Sequence, residues 1–117
     1  MREETRKILS LPELPVFATA VRIPVHTGHA ESFYVETERE ADLPAVLKAL
    51  GEAPGVEVSD DFPTPFEVAG EDGTYVGRVR VEGRVIQYWC VADNLLKGAA
   101  TNAVQIAESL VGVHARA

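Results

Sequence analysis

The sequence predicts an α+β domain with a mixed, mostly antiparallel sheet and helices packed on one face. Strand-like and helix-like runs are mixed along the chain, and short links join neighbouring strands in the manner of hairpins. A third observation is the apolar stripe Leu43, Val46, Leu47 and Leu50, which falls at i, i+3, i+4 and i+7 on one face of a helix.

The elements follow in order. "REETRKIL" has helical composition and starts abruptly, as though the preceding turns of a helix were missing. "VFATAVRIPV" is rich in β-branched and apolar residues and stops at Pro24, so it reads as a strand. After the "HTGH" turn, "ESFYVETE" sets Phe33, Val35 and Thr37 against Ser32, Tyr34 and Glu36, a strand with one face toward a core. Asp42 is the expected N-cap of the striped helix, which ends at Gly51. "GVEVSDD" reads as a short strand and "FPTPFEVAG" as an extended, proline-stiffened loop. "TYVGRVRVEGRVIQYWCVAD" reads as two strands turning at Glu82-Gly83. The last helix opens on "DN", runs from Leu95 to about Val111, and carries only small residues at Gly98, Ala99 and Ala100.

Composition bounds the function. The 117 residues, 46% of them apolar, suit one domain over 1–117 with a sizeable core. Eighteen acidic against eleven basic side chains give a net charge of -7, which repels phosphate backbones and anionic lipid, so no nucleic acid and no membrane is expected as a partner. No run of about 18 apolar residues occurs, nothing marks export, and a single cysteine agrees with a reducing compartment. A cytoplasmic location is expected.

"RIPVHTGHAES" places Arg22, His26 and His29 close together between two predicted strands, which suits a substrate-binding turn, a metal site or a polar loop. His26, His29 and Glu31 offer metal-ligand chemistry, but without an obvious further ligand or supporting residues, and no metal is expected. Gly70, Gly73 and Gly77 lack the Gly-x-Gly-x-x-Gly spacing and stand beside Glu71 and Asp72, which would repel a pyrophosphate; they read as turn glycines. Cys90 sits mid-strand in "QYWCVAD" and reads as a small core residue rather than a nucleophile.

"RIPVHTGHAES", "PTPFEVAGEDGTYVGRVR" and "ADNLLKGAATNAVQIAE", in this order and at these separations, resemble the carboxy-terminal third of aspartate-β-semialdehyde dehydrogenase. The likeness runs from Glu4 to about Leu110. The family reduces β-aspartyl phosphate with NADPH to aspartate semialdehyde and phosphate, early in the synthesis of lysine, methionine and threonine. The resemblance implies that His29 is the acid/base partner of a cysteine nucleophile, that Arg22 grips the substrate carboxylate, and that Asn94 hydrogen-bonds the nicotinamide carboxamide of NADP. The residue types fit. An imidazole of ordinary pKa near 6.5 exchanges protons at neutral pH, and a guanidinium offers a carboxylate a planar fork. Asn94 or Asp93 also suits the simpler role of helix cap.

The family's glycine loop and its Asn-Cys-Ser/Thr nucleophile motif belong to an earlier part of the family's chain and are absent here. The family's substrate-phosphate lysine would stand immediately before Met1. The chain is therefore expected to carry half of an active site and to be inactive alone. It is expected to form a homodimer and to pack its terminal helix, 93–111, on the missing amino-terminal nucleotide-binding part. The alternative is a stand-alone dimerisation or binding module without chemistry.

Overall fold

The structure, a computed structural model, describes residues 1–112. In chain order it holds α1 (Arg2–Leu9), β1 (His29–Glu36), α2 (Leu43–Gly51), β2 (Val56–Ser59), β3 (Thr74–Glu82), β4 (Val85–Ala92), a π-helical stretch (Leu96–Ala100) and α3 (Thr101–Val111). The sheet has the order β1-β4-β3-β2. β4 pairs antiparallel with both β1 and β3, while β2 pairs parallel with β3, so the expected mixed, mostly antiparallel α+β fold is the one formed. Among the described residues no helix is long and apolar enough to cross a membrane.

Local chemistry explains most boundaries. Asp42 caps α2 as expected, its carboxylate accepting from the Ala45 amide at 3.1 Å, with Pro44 in the first turn where its missing N–H costs nothing. Helix α2 packs against β2 and β3. Helix α1 ends on Ser10 in the left-handed region, and the Leu11 amide returns to the Arg6 carbonyl at 2.9 Å. β3 and β4 turn at Gly83-Arg84, one residue later than expected, with Gly83 at φ 57.

Alternation divides β4 into two faces. Val85, Gln87, Trp89 and Val91 point one way, and Ile86, Tyr88, Cys90 and Ala92 the other. The register sets Ser32 and Gly77 beside Trp89, and Glu31 and Val76 beside Cys90. The segment after β2 covers the Trp89 face. The indole Nε1–H donates to the Pro63 carbonyl at 2.8 Å, and Phe62 stacks on the Trp89 ring with centroids 4.9 Å apart. Rather than running extended, this segment folds into turns: the Glu67 and Val68 amides both donate to the Thr64 carbonyl, and the Glu67 carboxylate accepts from the Thr64 hydroxyl at 2.7 Å.

"VFATAVRIPV" does not form the expected strand. It lies in an irregular run between α1 and β1, where the Val25 amide reaches only back to the Ile23 carbonyl. Phe17 is 95% exposed. β-propensity expresses the fit of a side chain to a pleated, half-buried surface, and here no neighbouring strand supplies one. Arg22 therefore lies in an irregular run and not on a strand.

Among the described residues the buried apolar side chains are Val68, Val76 and Val91. Such a small closed core leaves Ile8, Phe17, Phe66 and Leu110 all at least four-fifths exposed. The terminal helix has the expected extent, but it starts with five-residue hydrogen bonding, Gly98 amide to Asp93 carbonyl at 3.1 Å and Ala100 amide to Leu95 carbonyl at 3.3 Å, before α3 takes over. On α3, Ile106 and Leu110 are exposed.

The close approach at Gly77 yields a test. A Cβ there would collide with the Asp61 carbonyl oxygen and stand 2.8 Å from Pro63 Cδ, both parts of a constrained backbone. Gly77→Ala should destabilise the chain by about 1–3 kcal/mol in urea titration. Gly51→Ala, where a Cβ meets nothing within 4 Å, should be neutral or stabilising by up to about 1 kcal/mol.

Candidate functional site

The site grows from the end of the central strand. β4 ends at Ala92, which lies opposite His29 on β1 and Thr74 on β3. The next residue, Asp93, is the one buried charged side chain among the described residues, at 4% exposure. Its Oδ2 accepts from the Gly70 amide at 2.9 Å, and its Oδ1 accepts from the Leu95 amide at 2.7 Å and the Leu96 amide at 3.3 Å. These backbone donors, Gly70 foremost, hold the Asp93 carboxyl below the ordinary carboxylate range. One side chain thus fastens the end of the 60–70 segment and caps the π-helical stretch.

Asn94 reaches the other way. Its Oδ1 accepts from the Gly28 amide at 2.6 Å, closing a contact across 66 residues of chain. Of the two candidate caps, Asp93 does the capping and Asn94 is left for the turn before β1. Because a backbone N–H can only donate, this bond identifies the oxygen of the Asn94 amide and leaves its two Nδ2 hydrogens for another acceptor. Gly28 itself is at φ +101, and a Cβ there would stand 2.9 Å from Pro65 Cβ, so this corner admits only glycine without rearrangement.

His29 is the residue after Gly28 and the first of β1, and its side chain is exposed. Through Gly28 and the pairing of His29 with Ala92, two of the three sequence-predicted residues, His29 and Asn94, meet at one end of the sheet. Arg22 is not tied to them: it is exposed in the irregular run, and no hydrogen bond or ion pair joins it to either residue among the described residues. His26 is exposed in the same run.

Among the described residues no group of three or more His, Cys, Asp or Glu side chains is arranged to hold a metal ion. Cys90 is half-buried opposite Glu31, and burial, with the Glu31 carboxylate adding to it, pushes its thiol up to about 11. A thiol so raised is a poor nucleophile near neutral pH. What can work at this corner is therefore an accessible imidazole beside a fixed amide that still has two N–H donors. Next to it runs a strip of small residues, where a Cβ on Gly98 would meet only Asn94 Cβ at 3.6 Å and the Asp93 carbonyl at 3.9 Å. Sequence reasoning passed over Asp93 as the organising residue. The signal was the pair "DN", two capping types in succession where one helix start needs one.

Comparison with known proteins gives this corner a setting. The family model described as semialdehyde dehydrogenase, dimerisation domain, matches residues 1–97. The aspartate-semialdehyde dehydrogenase of Bacillus subtilis (strain 168) is 46% identical over 119 residues, covering 94% of this chain and 34% of that protein. The enzyme of the same name from Aquifex aeolicus (strain VF5) is 48% identical over 120 residues, covering 95% and 35%. The crystal structure of aspartate semialdehyde dehydrogenase II complexed with ASA from Vibrio cholerae superposes with a TM-score of 0.86 at 47% identity, over 93% of this chain and 34% of that one. The chain spans about a third of the length of the relatives it matches.

The Asp93 oxygens accept most strongly when the carboxyl is ionised, so stability should follow its titration. Its pKa in the folded chain lies below the value of about 3.9 in an unfolded one. Its contribution is therefore complete above that value and is lost as pH falls through the folded pKa. Thermal melts should show a lower Tm for Asp93→Asn at pH 7. Below about pH 4 the wild-type Tm should fall more steeply than that of the variant, so that the two curves converge.

Proposed function

The chain belongs to the semialdehyde dehydrogenase family, whose dimerisation domain it matches, and from that premise we propose that it is the carboxy-terminal half-site of an NADP-dependent aspartate-β-semialdehyde dehydrogenase. The whole enzyme would reduce β-aspartyl phosphate to aspartate semialdehyde and release phosphate, a step toward lysine, methionine and threonine. This chain would supply the acid/base group, the substrate-carboxylate clamp and one cofactor contact, working in the cytoplasm as part of a homodimer. The observation that supports the reading is the bond from the Gly28 amide to Asn94 Oδ1, which ties the Asn94 amide to the residue just before His29.

In this reading His29 takes the proton of a cysteine thiol as that thiol attacks the substrate, and returns a proton later in the cycle. Its exposure at the start of β1 leaves the imbrication of a second protein part over it free to form. Arg22 binds the substrate carboxylate, and its exposure in an unpaired run agrees with a residue whose partner comes from outside the chain. Asn94 would hold the nicotinamide carboxamide through its Nδ2 donors, since its Oδ1 is already engaged by the Gly28 amide. The surface over Gly98 to Ala100 bears no large side chain, which suits the approach of a flat ring. NADP, when bound, supplies the hydride; every other step named here belongs to side chains.

The nucleophile must come from elsewhere, because Cys90 is the only cysteine of the chain and its thiol is held protonated. Domain 1–117 would then act beside a nucleotide-binding part, against which the helix 93–111 packs, and the exposed Ile106 and Leu110 support that docking. The competing reading, a non-catalytic dimerisation or binding module, accounts for the exposed apolar surface equally well but assigns no role to the His29–Asn94 corner.

Kinetics separate the two. The 117-residue chain alone should show no NADPH-dependent turnover of aspartate semialdehyde with phosphate. In a complete enzyme carrying this segment, His29→Ala should lower kcat by about 10²- to 10⁴-fold. Arg22→Lys should act mainly on KM for substrate, by roughly 10- to 150-fold, as a bidentate contact becomes a point charge. Wild-type kcat in His29→Ala would support the non-catalytic module.

A further inference from the structure

The Trp89 face of the sheet holds a second site that this chemistry does not use. Arg78, Arg80, Phe62, Trp89, Ser32 and Gln87 line a pocket of about 110 Å³. Residues 87 and 89 lie three to five positions before Ala92, roughly 10–17 Å along β4 from the His29–Asn94 corner.

Both arginines are held in place. The β3–β4 ladder shifts register between Gly77 and Arg80, and inside that irregularity Arg78 adopts φ 54, a left-handed conformation that a residue with a long side chain rarely takes. The shift aims its guanidinium over the Phe62 ring, 5.6 Å from the centroid, and Phe62 in turn rests on Trp89. Arg80 is fixed from β4, its Nη2 donating to Gln87 Oε1 at 3.2 Å. Strained backbone of this kind persists where the surroundings impose it, and it concentrates at binding sites.

Neither guanidinium forms an ion pair with a carboxylate among the described residues, although acidic side chains outnumber basic ones by eighteen to eleven. Arg84, on the same sheet, pairs with Glu36 at 3.0 Å. Two like charges gathered at one small pocket repel each other unless a counter-charge enters.

We propose that this pocket is an oxyanion site for a small free carboxylate or phosphate. The fork of Arg78 and the remaining N–H groups of Arg80 donate to the anion, and the Ser32 hydroxyl adds a neutral donor at the wall. Phe62 and Trp89, stacked on each other, form the apolar wall of the pocket. A pocket of about 110 Å³ has room for an ion the size of phosphate.

Trp89 is the only tryptophan of the chain, so its emission reports on the pocket directly. The full chain should be titrated with inorganic phosphate against sodium chloride of matched ionic strength. A saturable change in Trp89 emission, with half-saturation at about the millimolar level, is expected. Phosphate should raise the Tm in parallel. Arg78→Asn keeps a residue type that tolerates the left-handed backbone, and Arg80→Gln keeps a hydrogen-bonding side chain. Each should weaken phosphate binding at least tenfold while the protein remains folded by circular dichroism. An equal response to matched sodium chloride would overturn the proposal, as would variants that titrate like wild type. Emission that follows protein concentration instead of phosphate would also overturn it, since the pocket would then be a contact between copies.

Discussion

The carboxylate of Asp93 is the constraint on which the corner of this domain rests. It stands at the point where the central strand ends, and it satisfies backbone donors from two directions, Gly70 from the preceding segment and Leu95 and Leu96 from the helix start. A helix beginning at a buried strand end would otherwise leave its first amides without acceptors. With Asp93 engaged in that task, the neighbouring Asn94 is free to bind the Gly28 amide and fix the turn that introduces His29. Placement of both candidate functional residues thus follows from one buried charge and one side-chain bond.

The same economy is visible in the packing. With Val68, Val76 and Val91 as the buried apolar side chains among the described residues, much of the sheet and of α3 meets solvent. The segment over Trp89 is held by specific contacts as well as by area: the indole bond to Pro63, the Phe62 stack, and the absence of a side chain at Gly77. A domain built this way favours accurate positioning of a few backbone groups and leaves apolar surface for association, in keeping with the dimerisation domain of its family.

What was legible in the sequence was local. Asp42 as a cap, the stripe from Leu43 to Leu50, and the strands of "ESFYVETE" and "TYVGRVRVEGRVIQYWCVAD" each carry their own signal within a few residues, and each formed. "VFATAVRIPV" carried a signal just as strong and formed no strand, because a strand also needs a partner that its own residues do not specify. The π-helical start of the last helix depends on the buried carboxylate before it, and the turns within 60–70 depend on Thr64 and Glu67 finding each other. Of the site, His29 and Asn94 were readable through the family likeness, and their meeting was not, since it passes through a Gly28 bond spanning 66 residues. Arg22 remains apart from them within this chain.

Amide hydrogen exchange, followed residue by residue by NMR, tests the central claim most directly, because Gly28 and Gly70 are the donors on which the corner depends. In the wild-type chain both amides should be protected. Asn94→Ala should release Gly28 while leaving Gly70 protected, and Asp93→Asn should release Gly70 first. Exchange of the wild-type Gly28 amide at the rate of an open peptide would contradict the account, since Asn94 would then not be holding the turn that carries His29.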